Sequence, residues 1–223
     1  MITYKLEIKN ELFDRARNFE KFRSDCKEYL SKAKMNFDKF TVVSHDSFIG
    51  YITEYYVKKY LIETYNNIEV TSWEDSTNIR MIIEIVKNSD FSDESKNIVR
   101  EYFYDKWDLS INNHKGKVLT DVKTALTKKI PNKRWNFLYP IIQANKPGKD
   151  IMILVYYIVS DIKDLTSLKE LVIVGYTNYS TIKKCKIIKQ GEKTQFGTIS
   201  QIDNYITNLA SDYNNIDKLF KND

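Results

Sequence analysis

Between Asn10 and Lys34 the apolar residues Leu12, Ala16, Phe19, Phe22, Cys26 and Tyr29 recur every three or four positions, with charged residues between them. That spacing predicts an amphipathic helix. A second helix is predicted from Asp46 or Ser47 to about Tyr65, with Ser44 or Asp46 as its N-cap. Asn67 to Ser72 reads as a short strand or loop, and two further helices are predicted around Asn78 to Lys87 and Asp93 to Tyr104. The texture then changes. Lys106 to Ile111 and Lys117 to Ala125 read as strands joined by the turn-rich Asn112-Asn113-His114-Lys115-Gly116, which suits a hairpin. Ile151 to Val159 is continuously apolar and reads as a central strand buried on both faces. Leu171 to Tyr176 and Cys185 to Lys189 are predicted strands, and Ser200 to Tyr213 a closing helix carrying Ile202, Tyr205, Ile206 and Leu209. Helices, then a hairpin-led sheet, then a helix predict one α/β or α+β domain.

Composition narrows the class of protein. In 223 residues, 42% hydrophobic and 13% aromatic content is enough for a real core, which excludes wholesale disorder. Two cysteines, Cys26 and Cys185, lack C-x-x-C spacing and suit reduced thiols in a cytosolic protein. The segment from Met1 to Arg17 has no apolar h-region, so no signal peptide is expected. The longest apolar run, Ile151 to Val159, is far short of the roughly 20 residues that span a bilayer. The expectation is a cytoplasmic protein with no membrane partner.

Several chemistries are excluded. There is no G-x-x-x-x-G-K-[ST] and no G-x-G-x-x-G after a strand, so no nucleotide cofactor is expected. His45 and His114 are the only histidines, too few for a zinc site or an HNH-type nuclease. Any catalysis must run on carboxylates and lysines. Metal-dependent phosphodiester hydrolysis needs two acidic ligands on one divalent ion and a lysine near the attacked phosphate. On a strand, residues i and i+2 share a face, so a carboxylate–x–lysine triplet there aims acid and amine the same way.

Five such triplets occur, beginning at Glu7, Asp25, Glu94, Asp121 and Asp161. Asp25 and Glu94 lie in helical patterns, where i and i+2 diverge. Glu7 has no acid before it. Asp161 is separated from its candidate partner Asp150 by a strand that holds them roughly 36 Å apart. Asp121-Val-Lys123 differs. In a hairpin turning at His114 and Lys115, Asp108 falls opposite Asp121, with Cβ atoms about 4.5–5.5 Å apart. Facing like charges need neutralising. A bound Mg²⁺ would do so, and removing one charge would then relieve repulsion in the metal-free protein. The bland alternative is that one acid pairs with Lys106 or Lys117 on the surface. Asp105 is a rival to Asp108 outside the strand register.

From Lys115 to Arg134 there are seven cations and one acid, a local excess larger than the +5 of the entire chain. Lys128, Lys129, Lys133 and Arg134 therefore suit contact with a phosphate backbone, or else a solvated loop. Glu54 shares a helical face with Gly50, Val57 and Leu61. An acid on such a face needs a reason, either approach to a metal or to Lys123, or a salt bridge to Lys58.

These residues resemble the PD-(D/E)xK nuclease superfamily, most closely its type II restriction endonuclease branch. The resemblance rests on Gly50-Tyr-Ile-Thr-Glu54-Tyr-Tyr-Val-Lys-Lys-Tyr-Leu61, Trp107-Asp108-Leu-Ser-Ile, Leu119-Thr-Asp121-Val-Lys123-Thr-Ala, and the strand entered through Gly148-Lys-Asp150. It covers about Phe48 to Tyr176. Trp107 stands where the motif has its proline. The resemblance implies a restriction-endonuclease-like α/β core: a mixed central sheet flanked by helices, spanning about 44–180. About 1–40 would be an N-terminal helical extension, and about 181–223 a C-terminal strand and helix of the same single domain. It implies that Asp108 and Asp121 ligate Mg²⁺ (Mn²⁺ substituting), with the Val122 carbonyl as a further ligand. Lys123 would activate water or stabilise the phosphate, Glu54 would assist, and Gln143 would line the site. A homodimer cutting both strands of double-stranded DNA follows. A repair or recombination nuclease on the same core, and a non-catalytic DNA-binding protein, are the alternatives.

Overall fold

The computed structural model describes residues 1–3, 10–35, 44–104 and 106–220. In chain order the elements are β1 (Ile2–Thr3), α1 (Asn10–Lys32), α2 (Ser44–Thr64), β2 (Glu69–Ser72), α3 (Ile79–Asn88), α4 (Asp93–Phe103), β3 (Leu109–Asn113) and β4 (Gly116–Thr127). There follow β5 (Asn136–Pro140), α5 (Ile141–Ala144), β6 (Ile151–Asp161), β7 (Asp164–Asn178), α6 (Tyr179–Ile182), β8 (Lys186–Ile188), β9 (Asn204–Asn208) and a 3₁₀ turn at Ile216–Leu219. Local chemistry sets several boundaries. The Asn78 side chain accepts the Met81 amide at the start of α3, and Ser92 accepts the Ser95 amide at the start of α4.

The protein is α/β. Its main sheet has six strands in the order β1-β7-β6-β4-β3-β2, with β4 and β6 parallel and the other pairs antiparallel. The apolar run expected at the centre is β6, and every residue from Ile151 to Val159 is buried. Strand alternation divides those residues between two cores. Ile151, Ile153, Val155, Tyr157 and Val159 face α2, meeting Ile52, Tyr56, Val57 and Leu61. Met152, Leu154, Tyr156 and Ile158 face the other way, onto Tyr139 and Tyr205. A third cluster joins Cys26, Tyr29 and Leu30 of α1 to Ile82, Ile85, Val99, Tyr102 and Phe103 of α3 and α4.

One expectation changes. The helix predicted over Ser200 to Tyr213 is replaced by β9, in which Tyr205 and Thr207 are buried, as is Leu209 just beyond it. That is a period of two, and β9 lies between β5 and β8 in a second, three-stranded sheet. The helical pattern among Ile202, Tyr205, Ile206 and Leu209 lost to strand pairing on both sides. This second sheet, with the one-turn helices α5 and α6, covers the face of the main sheet opposite α2. Helices flank the other face, where Leu12 and Ala16 of α1 join α2 in the main core. The Glu7 triplet and Asp105 lie outside the described residues.

Both cysteines are free thiols; burial, opposed by Arg23, raises Cys26 to about 12, and burial with Asp212 nearby raises Cys185 to about 11. Among the described residues no helix is long and apolar enough to cross a membrane.

The C-terminal segment returns across the main sheet. Asn214 exchanges backbone hydrogen bonds with Tyr176, at 3.0 and 2.8 Å. The crossing requires glycine at 175, because a Cβ there would sit 2.2 Å from the Asn214 carbonyl oxygen. Gly175→Ala is therefore expected to cost about 3 kcal/mol by overpacking and to lower the melting temperature by roughly 6–12 °C. An unchanged melting curve would mean that the tail does not cross there.

Candidate active site

The hairpin forms as its sequence indicated. Asn113 pairs with Gly116 across a His114-Lys115 turn, and the ladder runs back through Ile111–Val118 to Leu109–Thr120. Continued one step, that register sets Asp108 against Asp121, but the ladder stops at Leu109. Asp108 instead bends into the edge of β4. Its amide donates to the Thr120 carbonyl at 2.9 Å, and its Oδ2 accepts the Val122 amide at 2.6 Å. The carboxylate takes the place of the missing strand partner. The Val122 amide, rather than its carbonyl, is thus the group brought to Asp108.

Asp121 and Lys123 lie on the β4 face opposite α2. The α2 contact uses the even-numbered positions, where Thr53 and Thr124 hydroxyls meet at 2.6 Å. Asp121 is wholly buried. Its Oδ1 meets Lys123 Nζ at 3.0 Å and also the Lys149 ammonium. Its Oδ2 accepts hydrogen bonds from the Tyr139 hydroxyl at 2.7 Å and the Tyr179 hydroxyl at 3.0 Å, and the two phenols are themselves 3.0 Å apart. Lys106 and Lys117, the surface partners considered from sequence, are not the cations that meet Asp121.

Burial alone would raise the Asp121 pKa, yet the ammonium groups of Lys123 and Lys149 outweigh it, helped by hydrogen bonds from Lys149 and Tyr139. The carboxyl is held well below the usual range. Burial would likewise neutralise Lys149, but the charges of Asp121 and then Asp108 hold its pKa up. Tyr139 and Tyr179 are pushed up by burial and by the Asp121 charge, so both stay protonated donors.

Sequence reasoning did not assign Lys149, Tyr139 or Tyr179. Lys149 is placed by its neighbours. Gly148 takes a positive φ of 92°, and Asp150 clamps the chain to β4, with its amide on the Leu119 carbonyl and its Oδ2 on the Leu119 amide, both at 2.8 Å. A lysine at the mouth of an unbroken apolar strand was the available signal. Tyr139 arrives on β5 of the second sheet and Tyr179 on α6, neither foreseeable without that sheet.

The remaining expected residues lie elsewhere. Glu54, on α2, lines a cleft of about 320 Å³ with Arg15, Tyr51, Lys58 and Asp75. Lys58 pairs with Asp75 at 2.5 Å. Gln143, in α5, bonds through its backbone carbonyl to the Lys146 amide. Lys128, Lys129, Lys133 and Arg134 are all exposed between β4 and β5, Lys128 lying 3.6 Å from Asp161. Seven residues of strand put Lys128 about 23 Å from Asp121.

Among the described residues no three His, Cys, Asp or Glu side chains cluster to hold a metal. Magnesium, however, takes one or two carboxylates and fills its remaining positions with water and substrate oxygens. Asp108 and Asp121 supply that hard-oxygen pair, and the Lys149 ammonium stands as a cation in the field of both. The donor set fits such an ion. Comparison with known proteins adds no relative: no family profile, curated protein or solved structure matches the chain.

Removing Asp121 leaves the Lys149 ammonium buried against fewer partners. This reverses the expectation that losing one facing charge relieves repulsion, because Lys149 and Lys123 already neutralise it. Asp121→Asn is expected to destabilise the fold by about 3–5 kcal/mol in chemical denaturation. Since the folded pKa of Asp121 lies below its unfolded value, the charge contributes fully above about pH 4. The contribution fades as pH falls further, by about 1.4 kcal/mol per pH unit. The gap between wild type and variant should narrow accordingly, and a gap constant from pH 7 to pH 2.5 would contradict the assignment.

Proposed function

We propose that the protein is a Mg²⁺-dependent endonuclease of double-stranded DNA, with a restriction-endonuclease-like core and a type II mode of action as a homodimer in the cytoplasm. One observation carries the reading. Asp121 and Lys123 project from one face of β4, and Asp108 reaches the same stretch of strand from the hairpin partner, as a carboxylate pair with an adjacent lysine requires.

In this reading Asp108 and Asp121 would hold the ion without the Val122 carbonyl, since it is the Val122 amide that meets Asp108. The ion, when bound, polarises the phosphate and makes a coordinated water more acidic. Lys123, whose side chain is 24% exposed, is the more accessible of the two lysines. It orients the attacking water or offsets charge that develops on the phosphate oxygens. Tyr139 and Tyr179 fix the Asp121 carboxylate. Lys128, Lys129, Lys133 and Arg134 contact the backbone of the duplex away from the reacting phosphate.

A second reading has its own support. Both Asp121 oxygens already have partners, as in a purely structural buried charge, which favours a non-catalytic DNA-binding protein. Cleavage separates the two. Plasmid DNA should be cut with Mg²⁺ or Mn²⁺ and left intact in EDTA. Lys123→Ala should slow cleavage at least about 100-fold, while Asp161→Ala and Lys163→Ala cut like wild type. Binding without cleavage under any divalent ion would establish the second reading.

Replacing Lys128, Lys129, Lys133 and Arg134 together by Ala should weaken binding to DNA of any sequence. The slope of log affinity against log salt should become shallower by roughly three to four. An unchanged slope, read by fluorescence anisotropy, would show that the segment does not meet DNA.

A further inference from the structure

We propose that Lys149 occupies the cation position between Asp108 and Asp121 in the free protein and leaves it when a divalent ion binds. This rests on the nuclease reading and concerns how its site is switched on. The Lys149 side chain is 10% exposed, and its ammonium bonds to Asp121 Oδ1. It interacts favourably with Asp108 as well. It fulfils the electrostatic role of a bound cation.

Lys149 also has somewhere to go. Asn145, Lys146, Pro147 and Gly148, just before it, are all exposed, while Asp150 anchors the backbone behind it to Leu119. The side chain can therefore swing to solvent without moving β6. It leaves as the ammonium, so no proton is exchanged.

Charge gives the exchange a purpose. Asp108, Asp121, Lys123 and Lys149 together are neutral, so the free site has no net attraction for a phosphate. With a divalent ion in place of Lys149 the same group carries one positive charge, which favours an incoming phosphodiester. The internal ammonium then competes with metal, and the site attracts a phosphodiester only once the ion is in place.

The test is Mn²⁺ binding by isothermal titration, on the full chain, to wild type, Lys149→Met and Lys149→Arg. Lys149→Met should bind Mn²⁺ at least tenfold more tightly than wild type, and Lys149→Arg, which keeps the competing charge, close to wild type. A second measurement needs no variant. Acetylation of Lys149 by a water-soluble reagent, followed by peptide mass spectrometry, should be slow without the ion and at least fivefold faster at saturating Mn²⁺, with exposed Lys146 unchanged. If wild type binds Mn²⁺ and cuts DNA but Lys149→Met binds no more tightly, or Lys149 stays protected in the bound form, the displacement is wrong and the nuclease reading survives. If wild type neither binds Mn²⁺ nor cuts DNA, the nuclease reading falls and the displacement with it.

Discussion

A buried carboxylate surrounded by donors organises this protein. Asp121 lies on the second strand of a hairpin, and its two oxygens are met by Lys123 of its own strand, Lys149 from the loop before β6, Tyr139 from β5 and Tyr179 from α6. No charged group can be buried this deeply without such compensation. The four partners come from four segments of the chain. Meeting them requires the parallel β4–β6 pairing, the second sheet over the odd-numbered face of β4, and α6 at the end of β7 to be in place together.

The same parity separates structure from chemistry. Even-numbered β4 residues face α2, where Val122 joins the apolar core and Thr124 meets Thr53. Odd-numbered residues turn toward the second sheet and α6, from which Tyr139 and Tyr179 supply hydroxyls. One strand thus presents a hydrophobic face to one layer and a charged face to the other, with no residue between them. Asp108 shows a related economy. By stepping out of the ladder it gives up regular pairing, and its carboxylate recovers a hydrogen bond at the Val122 amide.

Such a site holds stability and reactivity in tension. Every contact that makes Asp121 tolerable inside the protein also occupies a lone pair that a metal would use. A site serving only the fold could be this saturated indefinitely. A site serving hydrolysis would have to surrender one partner, and Lys149, beside an exposed loop, is the one proposed to leave. Tyr139, by contrast, lies in the apolar cluster between the sheets.

Much of this was legible along the chain, because it depends on short-range periodicity. The helices at 10–32, 44–64, 79–88 and 93–103, the hairpin with its two-residue turn, and the strand at 151–161 all follow from spacing and turn chemistry. The hairpin register follows too, since once the turn is known each partner is set by counting, as far as Leu109 and Thr120, beyond which Asp108 leaves the ladder. The segment at 200–213 did not, since Tyr205, Thr207 and Leu209 alternate only once β5 and β8 flank them. Nor did the partners of Asp121 beyond its own triplet. Lys149, Tyr139 and Tyr179 stand 18 to 58 residues away in the chain. A residue's own neighbours specify whether it lies on a helix or a strand and which face it takes. Which distant groups then surround it depends on how separate elements pack, and a buried charge is decided by that packing.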